Sequence, residues 1–265
     1  FPARCFDTGI AEEHAVTFCS GLATGGMLPV FAVYSTFLQR SYDQILNDTA
    51  IMGNHVVLAI DRAGLVPDDG KTHQGIFDVP FLQTIPGMTI YAPASFAELK
   101  IHLKQALYDE TGPVAVRYPK GSEASAAADY QPDYRSYQLF GTEQANTLLV
   151  TYGRLFFEAT AAVKRLAEEG TPVSLLKLSR IKPLPEDCIA LMQSYKRIIF
   201  VEESSRTGGI GEYVASLLEQ SGYHGEYQLQ AIEPFVGTCK VPSAMHRFHL
   251  DADGIVQLVR REVTP

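Results

Sequence analysis

The sequence predicts an α/β protein of two three-layer α/β domains, the first built on a mostly parallel sheet. Three observations carry this reading. The chain has 265 residues with 46% hydrophobic content, enough for two separate cores. Short apolar runs of strand length alternate with segments of helical period, the pattern of parallel strands joined by helices that cover both faces. The alternation lapses over 122–145, leaving units at 1–121 and 146–265.

In the first unit, FDTG (6–9) is a loop or strand end, followed by a helix from about Ala11 to Gly25 and the strand PVFAVY (29–34). A helix over Phe37–Ile51 precedes the strand HVVLAID (55–61). A polar loop leads to the strand MTIYAP (88–93), a helix from Ser95 and the strand VAVRYP (114–119). Ser122 to Tyr137 has neither period, contains Gln131-Pro132-Asp133 and reads as the linker. The second unit repeats the alternation: strand TLLVTYG (147–153), helix Glu158–Gly170, strand PVSLLKLS (172–179), a helix after Pro185 and strand RIIFVEE (197–203). A helix Gly211–Gln220, a strand Gln228–Ile232 and a terminal helix Asp253–Glu262 complete it.

Thirty acidic against 22 basic residues give a formal charge of −8, which disfavours nucleic acid or an anionic membrane as partner. An anionic ligand must therefore be met by locally placed Arg or Lys. The longest apolar runs, such as LPVFAVY (28–34), are far below the ~20 residues of a membrane span. The charged opening Phe1 to Asp7 is unlike a signal peptide. Cys5, Cys19, Cys188 and Cys239 are scattered, without the spacing of a zinc site or a disulfide framework. A reducing cytoplasmic setting fits them.

Ligands of open α/β sheets sit beyond the carboxyl ends of the strands, so the residues after each apolar run are the ones to inspect. Here they read GIAEEHAVTF, YSTFLQR, DRAGLVPDDGKTHQG and RYPKG, four successive loops rich in charged and aromatic side chains. FDTGIAEEHAVTFCSGLA (6–23), YSTFLQRSYDQILND (34–48), AIDRAGLVPDDGKTHQGIFD (59–78) and AVRYPKG (115–121) resemble, in order and spacing, the hallmark segments of deoxyxylulose-phosphate synthases, thiamine-diphosphate enzymes of the transketolase family. VEESSRTGGIG (201–211) and LDADGI (250–255) are similar to the transketolase C-terminal domain, so the resemblance covers essentially the whole chain. It implies a pyrimidine-binding domain over 1–121, incomplete at its N-terminus, and a transketolase C-terminal-like domain over 146–265.

The resemblance implies roles for individual residues, each with a plainer alternative. Glu12 would hydrogen-bond N1′ of the thiamine aminopyrimidine, a task for a partly desolvated carboxyl; otherwise it is a first-turn acid complementing a helix dipole. Ile10 would give the cofactor an apolar neighbour. Phe37 would stack on the aminopyrimidine, with Tyr34 facing the substrate; core packing is the alternative. Arg62 and Arg117 would meet the phosphate of glyceraldehyde 3-phosphate, with Arg40 assisting, because guanidinium forks match phosphate oxygens; surface solvation or ion pairing is the usual fate of a single Arg. Asp69 and His73 would contact reacting carbons and hydroxyls. Glu13, Pro67 and Asp68 depart from the family's usual residues, and His14 reads as structural. TGGIGEYV (207–214) lacks the Lys-Ser/Thr of a phosphate loop and a full GxGxxG, so its glycines read as a tight turn.

In that family the diphosphate and Mg²⁺ are held by a separate N-terminal domain with a GDG…N motif. No GDG occurs in this sequence, so no metal ligand is expected within it and the N-terminal domain becomes an expected partner. The implied reaction joins pyruvate to glyceraldehyde 3-phosphate with loss of CO₂, in a homodimer, and the chain alone is expected to be inactive. A transketolase C-terminal section, a 2-oxo-acid dehydrogenase β-like chain and a non-catalytic assembly module are the alternatives. DRAG and RYPKG favour the synthase over the first two; the set Glu12, Arg62, Asp69 and His73 argues against the third.

Overall fold

A computed structural model describes residues 1–141, 145–233 and 235–261. In chain order its helices and strands are α1 (Glu12–Thr24), β1 (Val30–Tyr34), α2 (Ser35–Leu38), α3 (Tyr42–Gln44), β2 (Val56–Asp61), α4 (Asp78–Gln83), β3 (Thr89–Tyr91), α5 (Phe96–Tyr108) and β4 (Pro113–Arg117). There follow β5 (Tyr137–Phe140), β6 (Thr147–Tyr152), α6 (Leu155–Glu168), β7 (Val173–Leu178), β8 (Arg180–Lys182), α7 (Glu186–Gln193), β9 (Arg197–Ser205), α8 (Ile210–Gln220), β10 (Glu226–Ile232), α9 (Val241–Arg247) and α10 (Ala252–Arg260). They build two five-stranded sheets, ordered β1-β2-β4-β3-β8 and β10-β9-β6-β7-β5, each parallel except for its last strand.

β2, β4 and β7 are buried almost along their whole lengths, which is why they read as continuous apolar runs. Each fully buried Val, Leu or Ile there contributes about 1.5–3 kcal/mol of transfer free energy. α5 opens on a reciprocal cap: Ser95 Oγ accepts from Glu98 N at 3.1 Å and Glu98 Oε2 accepts from Ala94 N at 2.7 Å.

Four features differ from the sequence reading. The helix expected over Phe37–Ile51 starts at Ser35 and is irregular, running through α2, a tight turn at Gln39–Ser41, α3 and a π-helical stretch at Ile45–Ile51. Within the expected linker, Tyr137–Phe140 forms β5 because its backbone pairs antiparallel with the free edge of β7, while Tyr137 Oη donates to Asp187 of α7 and Gln138 Nε2 to Asp133. The expected helix Glu158–Gly170 begins at Leu155. β8 crosses from the second unit to the first and pairs antiparallel with β3. Residues 142–144 of the expected linker, Glu262 of the expected terminal helix and 263–265 lie outside the described residues.

Candidate active site

The loops that follow β1, β2 and β4 and the segment entering α1 meet at one end of the first sheet. Glu12 is the first residue of α1 and is only 8% exposed; the side chains of Ala15 and Val16, one turn on, are buried in the core. Its carboxylate accepts from Arg40 Nη1, at 3.1 Å to Oε2 and 3.4 Å to Oε1. Arg40 also lies over the ring of Phe37, 5.6 Å from its centroid. Glu12 and Phe37 are therefore linked through one guanidinium, which neutralises the carboxylate and leaves its second oxygen weakly engaged.

Phe37 sits in α2 directly after the edge strand. Its ring is stacked with Tyr34 at 5.5 Å and meets the edge of His73 at 5.4 Å. Thr36 Oγ1 donates to Thr72 O at 2.8 Å, and Thr72 Oγ1 lies 2.9 Å from His73 Nδ1, so the turn after β1 is tied to the turn that carries the imidazole. The result is a half-buried aromatic wall with a carboxylate at one end and an imidazole at the other.

The third loop begins with a conformational anomaly. Arg62 has φ +60°, a left-handed backbone that costs a non-glycine residue of order 1–3 kcal/mol and persists only where its surroundings impose it. Gly64 and Gly75 pair across the loop through N–H to O bonds of 2.6 and 2.8 Å. A side chain on Gly75 would collide with the Arg62 carbonyl, so this approach requires glycine. The Arg62 guanidinium lies 3.5 Å above the Tyr34 ring, is paired with Asp61 and has Nε 3.4 Å from Asp69 Oδ2. Lys120 also pairs with Asp69. The hydrogen bond from Lys120, with Arg62 adding its charge, holds the Asp69 carboxyl below its ordinary range. Of the departures from the family pattern, Pro67 is buried and Asp68 lies 3.5 Å from Lys240, while Glu13 is exposed.

The structure thus brings together Glu12, Tyr34, Phe37, Arg40, Arg62, Asp69 and His73. It does not bring in two expected residues. Ile10 is 91% exposed, because the left-handed Gly9 turns the segment before α1 away from the core. Arg117 is 5% exposed and forms a fork on Asp78, with Nε to Oδ2 at 2.9 Å and Nη2 to Oδ1 at 3.2 Å, and its guanidinium faces the Tyr152 ring at 5.6 Å. It lies on the last position of a fully buried strand, so its charge is satisfied internally rather than presented to a ligand. Arg40, expected beside the other arginines, is on Glu12 instead. Three residues after Arg117 in RYPKG the chain has left the sheet, and there the Lys120 side chain, 40% exposed, pairs with Asp69 beside Arg62. The position of Lys120 in a loop directly after a strand was the available signal.

The glycines of TGGIGEYV do not cradle an anion from solution. Glu202 fills that position, accepting from Ile210 N at 3.1 Å and Gly211 N at 3.0 Å, and side chains on Gly209 or Gly211 would collide with it or with Leu229. The helix start is thus capped by a buried carboxylate of β9. Among the described residues no group of three His, Cys, Asp or Glu is arranged to hold a metal ion, and no helix is long and apolar enough to cross a membrane.

Residues 1–124 match the family described as transketolase, pyrimidine binding domain, and residues 139–255 match transketolase, C-terminal domain. The 1-deoxy-D-xylulose-5-phosphate synthase of Brevibacillus brevis is 41% identical over 267 residues, covering 98% of this chain and 42% of that protein. That of Chlorobaculum tepidum is 44% identical over 223 residues, covering 83% of this chain and 35% of that protein. The chain spans about two fifths of the length of the curated relatives it matches. A split-gene transketolase described as an inactive beta4 tetramer superposes with TM-score 0.87 at 24% identity, over 98% of this chain and 84% of that one. Transketolase from Campylobacter jejuni gives TM-score 0.78 at 17% identity, over 96% of this chain and 39% of that one. These two likenesses concern the fold. With a pyrimidine-binding domain followed by a C-terminal domain, and with curated relatives that are 1-deoxy-D-xylulose-5-phosphate synthases, the chain belongs to the transketolase family.

Proposed function

We propose that this chain forms the aminopyrimidine-binding and acceptor-binding part of a thiamine-diphosphate-dependent synthase that condenses pyruvate with D-glyceraldehyde 3-phosphate to 1-deoxy-D-xylulose 5-phosphate and CO₂. The observation that carries it is the convergence of Glu12, Phe37, Arg62, Asp69, His73 and Lys120 from separate loops, in a chain 41% identical to a synthase over nearly its whole length. The residues fit the cofactor's aminopyrimidine: a nearly buried carboxylate for a ring nitrogen lies beside an aromatic face of matching flatness. Thiamine diphosphate, when bound, supplies the nucleophilic carbon and electron sink that decarboxylation requires. With the cofactor bound, the Glu12 carboxyl would hydrogen-bond the ring nitrogen, with Arg40 held beside it. Arg62 and Lys120 present a cationic pair for the acceptor phosphate, each now resting on Asp69. His73 stands where it can donate to a carbonyl oxygen of a substrate lying along the aromatic wall. Mg²⁺ and the diphosphate are assigned to a further, N-terminal domain, with the whole acting as a homodimer in the cytoplasm, a setting consistent with four free cysteines.

The test is product formation from pyruvate and glyceraldehyde 3-phosphate with thiamine diphosphate and Mg²⁺, using the chain mixed with a separately expressed N-terminal domain of a relative. We expect deoxyxylulose phosphate only in the mixture, with Glu12→Ala lowering kcat by at least about 10²-fold. Lys120→Ala is expected to raise KM for the phosphorylated acceptor about ten-fold with little change for pyruvate. An associated mixture without product would overturn the reading.

A further inference from the structure

The segment VEESSRTGGIG (201–211) lies outside the site described above, yet its residues reach into the loop that builds that site. Leu65, three residues after Arg62, is 1% exposed and has no strand beside it. Its N–H donates to Glu203 Oε1 at 2.6 Å and its carbonyl accepts from Arg154 Nη2 at 2.8 Å. Arg154 and Glu203 form a fork with each other, Nε to Oε2 at 2.9 Å and Nη2 to Oε1. An ion pair of the second domain thus supplies both backbone partners that a neighbouring strand would otherwise provide. At the loop's other end the Ile76 carbonyl accepts from Ser205 N at 2.8 Å and Ser204 Oγ at 3.2 Å. The side chains of Leu65 and Ile76 are buried in the hydrophobic cluster of the second domain, with Leu149, Val201 and Ile232.

We infer that Glu203 and Arg154 are positioning residues through which the second domain fixes the 62–76 loop and thereby the placement of Arg62, Asp69 and His73. Glycine at 64 follows from the same contact: a side chain there would stand 2.5 Å from the Glu203 carboxyl carbon, and its φ is +83°. The left-handed Arg62 needs such over-determination, since a non-glycine residue at φ +60° persists only where its surroundings impose it. Fastened at Leu65 and Ile76, the loop has two fixed ends, and the Gly64–Gly75 bridge joins them. The significance for acceptor binding rests on the proposed function; the fastening itself does not.

Hydrogen exchange read by mass spectrometry on the full chain tests the fastening, comparing wild type with Glu203→Ala, Glu203→Gln and Arg154→Met. Peptides covering 62–76 should exchange at least about ten-fold faster in Glu203→Ala, and less so in Glu203→Gln, which still accepts from Leu65 N–H, while β2 and β6 keep wild-type protection. Unchanged exchange over 62–76 in Glu203→Ala with both sheets protected would overturn the inference. If Glu203→Ala also loosens β6, the decision passes to Glu203→Gln and Arg154→Met by the same criterion. In the complemented enzyme, Glu203→Gln should raise KM for glyceraldehyde 3-phosphate by about ten-fold and leave KM for pyruvate within about three-fold. A wild type that makes no product removes the acceptor role, and the exchange result still decides the positioning.

Discussion

Glu202 and His102 show how much a single side chain's surroundings decide. Glu202 is fully buried, and burial pushes its carboxyl up to about 7 although Tyr152 and two backbone amides donate to it. His102 is buried against Tyr91, and burial pushes its imidazole down to about 4 despite Glu98 at 3.6 Å. The two act on stability with opposite sign. Native Glu202 keeps its proton where the unfolded chain has lost it, so its contribution declines as pH rises from about 4.5 to about 7. Unfolded His102 takes up a proton where the native one does not, so stability declines as pH falls from about 6.5 to about 4. Each shift corresponds to about 3 kcal/mol, and the windows overlap. Glu202→Gln, which removes one slope, should therefore lose stability towards acid more steeply than wild type, measured as urea midpoints between pH 4 and 7.5. Parallel profiles for the two proteins would contradict the assignment. At the same scale Phe37, Arg62, Asp69 and His73 were legible because they follow strand ends in recognisable loops, and Glu12 because it opens a helix within a recognisable motif. Arg117 was not, since nothing in AVRYPKG distinguishes an arginine that ends a buried strand from one that leaves it.

Elements are joined by contacts that no local pattern announces. The short α4 ends under Lys182 of β8, whose ammonium donates to the carbonyls of Gln83 and Ile85 at 2.7 Å each and to Leu82 at 3.4 Å. A lysine from the second domain thus satisfies the open C-terminal end of a helix in the first. Lys182→Met keeps the stem and removes the donor, and is expected to lower stability by about 1–2 kcal/mol in denaturant unfolding. A cost below about 0.3 kcal/mol would mean that water serves those carbonyls equally well. Strands such as β2 and β7 were readable from their apolar runs, whereas β8 has three residues, two of them basic, and becomes a strand only because β3 offers it an edge.

Across the molecule, the two domains are fastened by a buried polar cluster as well as by apolar packing. Lys177 of β7 pairs with Glu98 of α5, Ser179 Oγ donates to the same carboxylate at 2.9 Å, and the hydroxyl of Tyr130 binds Gln138 at 2.6 Å. Glu98 and Lys177 are both without solvent contact. Burial alone would raise the Glu98 carboxyl, and the ammonium of Lys177 holds it below its ordinary range. Removing one partner leaves a buried charge, so Lys177→Met should cost about 3–5 kcal/mol, and Glu98→Leu added to it should restore much of that. Equilibrium unfolding of both variants checks this, and a double variant no more stable than the single one would rule out mutual compensation. A chain with this junction behaves as one unit around its site, consistent with the second domain holding the 62–76 loop.

By itself the sequence determined the alternation of strands and helices, the division into two α/β units, the family and most of the residues that converge on the site. Those properties are local: hydrophobic period, loop composition and motif spacing depend on neighbours along the chain. Tertiary structure alone decided that Arg117 answers to Asp78, that Lys120 stands on Asp69, that Glu202 closes the glycine turn, and that β5 and β8 are strands. Each depends on which unsatisfied charge, carbonyl or sheet edge arrives from a distant part of the chain, and burial makes leaving it unsatisfied too costly to allow another arrangement.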